Sequence, residues 1–129
     1  MSFTWTNDIS VGVTKLDNQH QFLFYIINKL EGMSGDLAGE ELDKYVKSLN
    51  HYVQIHFQTE EEYFQRYNYT EKLEHEKEHM DFVNQVIRYK KIHKNDESVS
   101  TAELHNFLSN WIIDHILQCD MKYKGLFPK

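Results

Sequence analysis

Seven residues of this 129-residue chain have the types and spacings of metal ligands: His20, His56, Glu60, His75, His79, His115 and Asp120. His56/Glu60 and His75/His79 are i, i+4 pairs, so on a helix both members face one way and can reach one metal region. His115 and Asp120 are i, i+5, which sets them about 140° apart on a regular α-helix. They converge only where the site lies between them or the helix loosens. The spacing therefore predicts a widened or π-type turn near residues 115–120, a feature common at functional sites. Five imidazoles and two carboxylates exceed the needs of one ion, whereas two ions bridged by the carboxylates use all seven. Mixed nitrogen and oxygen donors without thiolate favour iron or zinc over copper(I). Diiron carboxylate enzymes rely on four glutamates with Glu-x-x-His pairs; the set here is richer in histidine and poorer in carboxylate. That leaves less anionic charge on the metals and favours carrying oxygen over activating it.

The elements that must position these residues are four amphipathic helices. Apolar residues recur at helical spacing in four blocks. The first carries Leu16, Leu23, Phe24, Ile27 and Leu30, and stops at the breaker run Gly32–Asp36. The second runs from Leu42 through Leu49, Val53, Phe57 and Phe64 to Tyr67, with a break near Asn68. The third carries Leu73, Phe82, Val83, Val86 and Ile87, and the fourth Leu104, Leu108, Trp111, Ile112, Ile116 and Cys119. Short polar loops between such helices imply an all-α, antiparallel up-down-up-down four-helix bundle. Residues 1–129 read as one domain, with an irregular N-terminal arm over about 1–16 that Trp5 anchors on the bundle. The seven polar residues fill gaps in the apolar stripes. Measured from the end that carries the loops near 34–38 and 94–100, at ~1.5 Å per residue, they fall roughly 20–30 Å along their helices. Four helices thus deliver buried polar groups to one level, a costly arrangement unless something pairs with them.

Composition narrows the rest. A net charge of −6 argues against a nucleic-acid partner. No apolar run reaches the roughly 18 residues of a membrane span, and the start MSFTWTNDIS has no secretory signal. The single cysteine, Cys119, excludes an internal disulfide, so a cytoplasmic location is the expectation. Pro128, the one proline, lies beyond the helices. His51, His93 and His105 lack matching spacing and read as surface or boundary residues. Glu61 and Glu62 read as solvated helix-face charges, and Cys119 as a small hydrophobe.

The stretches WTNDISVGVTKLDNQH (5–20), HFQTEE (56–61), HEKEH (75–79) and WIIDHILQCD (111–120) resemble the hemerythrin family over nearly the whole chain. The resemblance implies a nonheme diiron site that binds dioxygen reversibly. His75, His79 and His115 would hold one iron and His20 and His56 the other. Glu60 and Asp120 would bridge the two, with a bridging oxo or hydroxo group. Dioxygen would be held as hydroperoxide at the open position of the two-histidine iron, for carriage, storage or sensing. In the family's picture the bridging hydroxide passes its proton to the bound oxygen, so no net charge is created in a low-dielectric core. Resemblance and stripe position together make Leu23, Phe57, Trp111, Ile112 and Ile116 the oxygen-pocket candidates. Tyr123, three residues past Asp120, is the candidate hydrogen-bond partner of a bridging carboxylate. Phe64 stands where the family often has methionine, and Thr70 where it often has proline; neither is a ligand position. The competing readings are a peroxide- or nitric-oxide-processing diiron enzyme and an oxygen-sensing module of a larger signalling protein. No pocket candidate offers an acid–base group, so no catalytic residue is assigned and the chain reads as a non-enzyme, with room at most for weak peroxidase or oxidase side activity.

Overall fold

The computed structural model describes residues 4–33, 35–94 and 98–128, with side chains of 90–94 excepted. Four helices dominate it: α1 (Thr14–Asn28), α2 (Gly39–Arg66), α3 (Lys72–Lys94) and α4 (Thr101–Gln118). Each boundary has a local cause. Ahead of α1 the chain makes one 3-10 turn, Asn7–Ile9. Asp17, in the first turn of α1, then gathers the Ser10 hydroxyl at 2.5 Å and the Val11 N–H at 2.9 Å. A carboxylate there also complements the helix dipole. The helix therefore begins inside the stretch expected as an irregular arm. Trp5 does pack against the main core.

At its far end α1 tightens into a 3-10 turn, Lys29–Gly32. Helix α2 ends where Asn68 takes a left-handed φ of 53°. The Tyr69 N–H reaches back to the Phe64 carbonyl at 2.9 Å, satisfying a carbonyl the helix end would leave orphaned. Ser100 caps α4 by accepting the Glu103 N–H at 3.3 Å.

The helices form an antiparallel bundle in which α1 packs on α2 and α4, and α2 on α3. A feature the sequence reading did not anticipate fixes one end. Two short strands, β1 (Asp36–Leu37) and β2 (Val99–Ser100), pair antiparallel with Asp36 opposite Ser100 and Leu37 opposite Val99. This joins the α1–α2 and α3–α4 connections at one end of the bundle.

The apolar interior is divided. A large cluster, including Leu23, Phe57, Phe82, Leu108, Ile112 and Ile116, fills the bundle toward the strand pair. A smaller one, of Val11, Val13, Leu16, Phe64, Tyr69, Tyr123 and Phe127, lies toward the other end. The chain crosses from one to the other at Leu16–Leu23, Phe57–Phe64 and Ile116–Tyr123. His20, Glu60 and Asp120 occupy those crossings, so a polar layer separates two apolar ones. Not every stripe residue is covered: Leu73 is 79% exposed, and Tyr67 and Ile87 are also exposed. The main helix–helix burial therefore falls on the inner members of each stripe.

Candidate metal centre

All seven candidate ligands are buried, and His20, Glu60 and Asp120 are fully so. They form two groups of close donor atoms: Glu60, His75, His79 and His115, and His20, His56, Glu60 and Asp120. Glu60 belongs to both. Its Oε1 lies 3.0 Å from His79 Nε2, 3.4 Å from His56 Nε2 and 3.8 Å from His75 Nε2. Asp120 spans the groups with its two oxygens. Oδ2 is 2.9 Å from His20 Nε2, while Oδ1 is 2.9 Å from His75 Nε2 and 3.1 Å from His115 Nε2.

These approaches are close, yet the Nε2 atoms of all five histidines, Glu60 Oε1 and both Asp120 oxygens lack a hydrogen bond of acceptable geometry. Native interiors rarely leave buried polar atoms so, and a whole cluster of them demands a partner. Nitrogen and carboxylate donors aimed at shared points fit metal cations.

Helix α4 does not widen into a π-type turn, as the His115/Asp120 spacing led us to expect. The α-helical bond from Cys119 N–H to the His115 carbonyl (2.8 Å) is intact. The helix then stops at Gln118, and a tighter 3-10 turn, Asp120–Tyr123, takes over through Cys119 (φ −117°, ψ −56°). Ending the helix swings Asp120 back toward His115 as effectively as a bulge would. The same turn carries Tyr123, whose hydroxyl donates to Glu60 Oε2 at 2.5 Å. Burial first, then the Glu60 and Asp120 charges, push the Tyr123 phenol well above its ordinary value, so it remains a donor. A hydrogen bond to a buried carboxylate contributes about 1.5–3 kcal/mol. Tyr123→Phe is expected to weaken metal retention about tenfold, read by chelator competition; unchanged retention would reduce Tyr123 to packing.

The crowded charges also shift the protonation of the site's own groups. Burial disfavours the charged form of His75, but the Asp120 and Glu60 carboxylates outweigh it and raise the ring to about 9. For His115, burial is likewise overcome, chiefly by the Asp120 charge, and its value stands well above normal. Burial wins at His56, lowered to about 3. Burial opposes the ionised forms of Glu60 and Asp120, yet the surrounding histidines hold both below the usual carboxylate range. Near pH 7 these shifts favour the protonated forms of His75 and His115 and the neutral form of His56. The stability His75 gives the metal-free protein is full below its unfolded value of 6.5 and is lost as pH rises through about 9. Metal uptake near pH 7 must displace these protons. Calorimetry in buffers of different ionisation enthalpy is expected to show proton release that shrinks as pH passes about 9. Release independent of pH across that window would contradict this assignment.

Three contacts escaped the sequence reading. His56 Nδ1 bonds Gln19 Oε1 at 2.8 Å, His79 Nδ1 bonds Glu61 Oε2 at 3.0 Å, and His115 Nδ1 meets Glu78 Oε1 at 3.3 Å. Glu61 is thus not merely a solvated helix-face charge: it lies across from α3 and fixes a ring. The available signal was adjacency, because Gln19, Glu61 and Glu78 each directly neighbour a candidate ligand. Cys119 is buried and donates its thiol to Glu78 Oε2. His105 is buried rather than at the surface, near Asn28, Glu31 and Ser109 where α4 meets the Lys29–Gly32 turn. His51 is exposed, and the side chain of His93 lies outside the described residues.

The pocket candidates Leu23, Phe57, Ile112 and Ile116 are buried in the large apolar cluster, with Trp111 packed against it. Phe57 stacks on His79 at 3.7 Å and 6°, and Trp111 on His115 at 4.6 Å and 13°.

The profile of the "Hemerythrin HHE cation binding domain" matches residues 11–127. This chain belongs to the hemerythrin family. Its similarities agree with that membership over nearly the whole chain. A hemerythrin-like protein of Naegleria gruberi is 32% identical over 124 residues, spanning 96% of this chain and 92% of its own. A bacteriohemerythrin of Clostridium acetobutylicum is 31% identical over 126 residues, spanning 94% and 98%. The crystal structure of a wild-type hemerythrin superposes with a TM-score of 0.85 at 27% identity, covering 98% of both chains. The hemerythrin bundle and the convergent donors thus occur in one chain. Among the described residues, no helix is long and apolar enough to cross a membrane.

Proposed function

We propose that this hemerythrin-family chain holds two nonheme iron ions and binds dioxygen reversibly. One observation carries the proposal: two buried donor groups share Glu60 and are spanned by Asp120, while their inward atoms lack hydrogen bonds. In this reading His75, His79 and His115 would hold one iron, His20 and His56 the other, and Glu60 and Asp120 would serve both, with a solvent-derived oxo or hydroxo group completing the centre. When bound, ferrous ions supply the electrons that dioxygen takes up on binding and returns on release.

The chain's own residues do the rest. Asp120 presents one oxygen to each donor group. Glu60 keeps Oε1 toward the histidines while Tyr123 holds Oε2, fixing the carboxylate's rotation. Leu23, Ile112 and Ile116 keep water from the neighbouring core. With two histidines against three, the His20/His56 position has fewer protein donors, which favours it as the place for dioxygen. Leu23, Phe57, Trp111, Ile112 and Ile116 carry no acid–base group, which favours carriage over turnover.

The test is anaerobic reconstitution with ferrous iron, followed by air and then vacuum. Two irons per chain and a colour that appears in air and fades under vacuum are expected. Fewer than two irons, or steady consumption of oxygen, would overturn the reading.

A further inference from the structure

The three ring-orienting contacts form an ordered series. Gln19 on α1 holds His56 on α2; Glu61 on α2 holds His79 on α3; Glu78 on α3 holds His115 on α4. Each of the first three helices fixes a histidine of the next through a residue adjacent to one of its own candidate ligands. All three use Nδ1, which leaves Nε2 facing inward. The series is chemically uneven. Both carboxylates serve the His75/His79/His115 group, whereas the other group receives a neutral amide. His20 Nδ1 has no hydrogen-bond partner among the described residues.

We propose that Glu61 and Glu78 make the two iron positions redox-inequivalent, giving the three-histidine iron the lower reduction potential and leaving the Gln19-backed iron harder to oxidise. This inference rests on the diiron reading above. A carboxylate that accepts the Nδ1 proton makes the imidazole a stronger donor and stabilises the higher metal charge; an amide does so weakly. In the step concerned, a ferrous ion loses one electron to an outer-sphere acceptor such as ferricyanide, and no bond in the chain forms or breaks. The inequivalence would let one iron give up its electron before the other, so a half-oxidised protein would accumulate during titration. Glu61, Glu78 and Gln19 are positioning residues that act through the rings they touch.

The experiment is an anaerobic redox titration of the iron-loaded protein with ferricyanide, followed optically and by Mössbauer spectroscopy, with iron counted in every sample. Glu61→Gln and Glu78→Gln keep an acceptor for the ring and remove only the charge. Each is expected to shift the lower-potential couple upward by about tenfold in its ferric-to-ferrous ratio, 59 mV for one electron. Gln19→Glu is expected to move the higher-potential couple downward by a similar factor and narrow the gap. A purely structural role predicts that the glutamine variants titrate as the parent does, and that result overturns the proposal. So does a shift of the same couple by all three variants, or loss of iron from all three. If one variant alone fails to hold iron, the other two carry the comparison. A parent protein that binds fewer than two irons sinks the diiron reading itself, a failure visible before any variant is titrated.

Discussion

If the centre holds two irons as proposed, Glu60→Ala protein is expected to keep its helices and to lose at least one of them, with metal affinity lowered by about 100-fold or more. Removing a supporting contact alone typically costs 10- to 100-fold, and Glu60 faces histidines of both groups directly. Its Oε1 approaches His79, His56 and His75 within 3.0–3.8 Å, so one truncation removes a donor from each metal position. The Tyr123 hydroxyl also loses its acceptor inside the core. The helix itself is not at risk, since alanine is a better helix former than glutamate at an interior position of the 28-residue α2. Iron per chain and far-UV circular dichroism separate the two effects. Native helicity with two tightly held irons would remove Glu60 from the centre. Glu60→Gln, which keeps the reach and discards the charge, should fall between the parent and the alanine variant.

The second large effect concerns water. Ile116 is fully buried in the large apolar cluster, one residue from His115. Ile116→Asn places an amide there with donors and acceptors that require partners, and a polar, roomy site admits water where an apolar one stays dry. The oxygenated protein is expected to decay at least tenfold faster, with iron content unchanged. A buried amide left without partners costs about 1–3 kcal/mol, so the melting temperature should fall as well. Ile116→Val supplies the control. It costs about 1 kcal/mol and brings no polar atom, so the oxygenated form should persist. An unchanged lifetime in the asparagine variant would exclude residue 116 from the pocket.

Much of this was legible because the burial pattern and the site interrupt each other. The α-helical stripes carried the four helices, and the gaps at His20, His56/Glu60, His75/His79 and His115/Asp120 marked one level of the bundle. Periodicity could not show how the chain ends a helix. The His115/Asp120 spacing demanded a local departure from α geometry but not its kind; helix termination and a 3-10 turn satisfy it as well as a π-turn. The strand pair was invisible because two residues per strand leave no alternation to read. Glu61 and Gln19 were hidden for another reason. Neither lies on an apolar stripe, and their partners come from the next helix, so only the tertiary packing defines their role.

The 3-10 turn that follows α4 has a consequence for how the molecule breathes. Hydrogen bonds in such turns have poorer geometry than those of an α-helix, and segments of this kind open locally at a fraction of the global unfolding cost. Residues Asp120–Tyr123 hold one carboxylate of the centre and the grip on the other. Backbone amides there should exchange with deuterium readily until metal ties Asp120 down, and slowly afterwards. A stretch of backbone closed by short-range turn bonds would thereby become one of the best protected around the site.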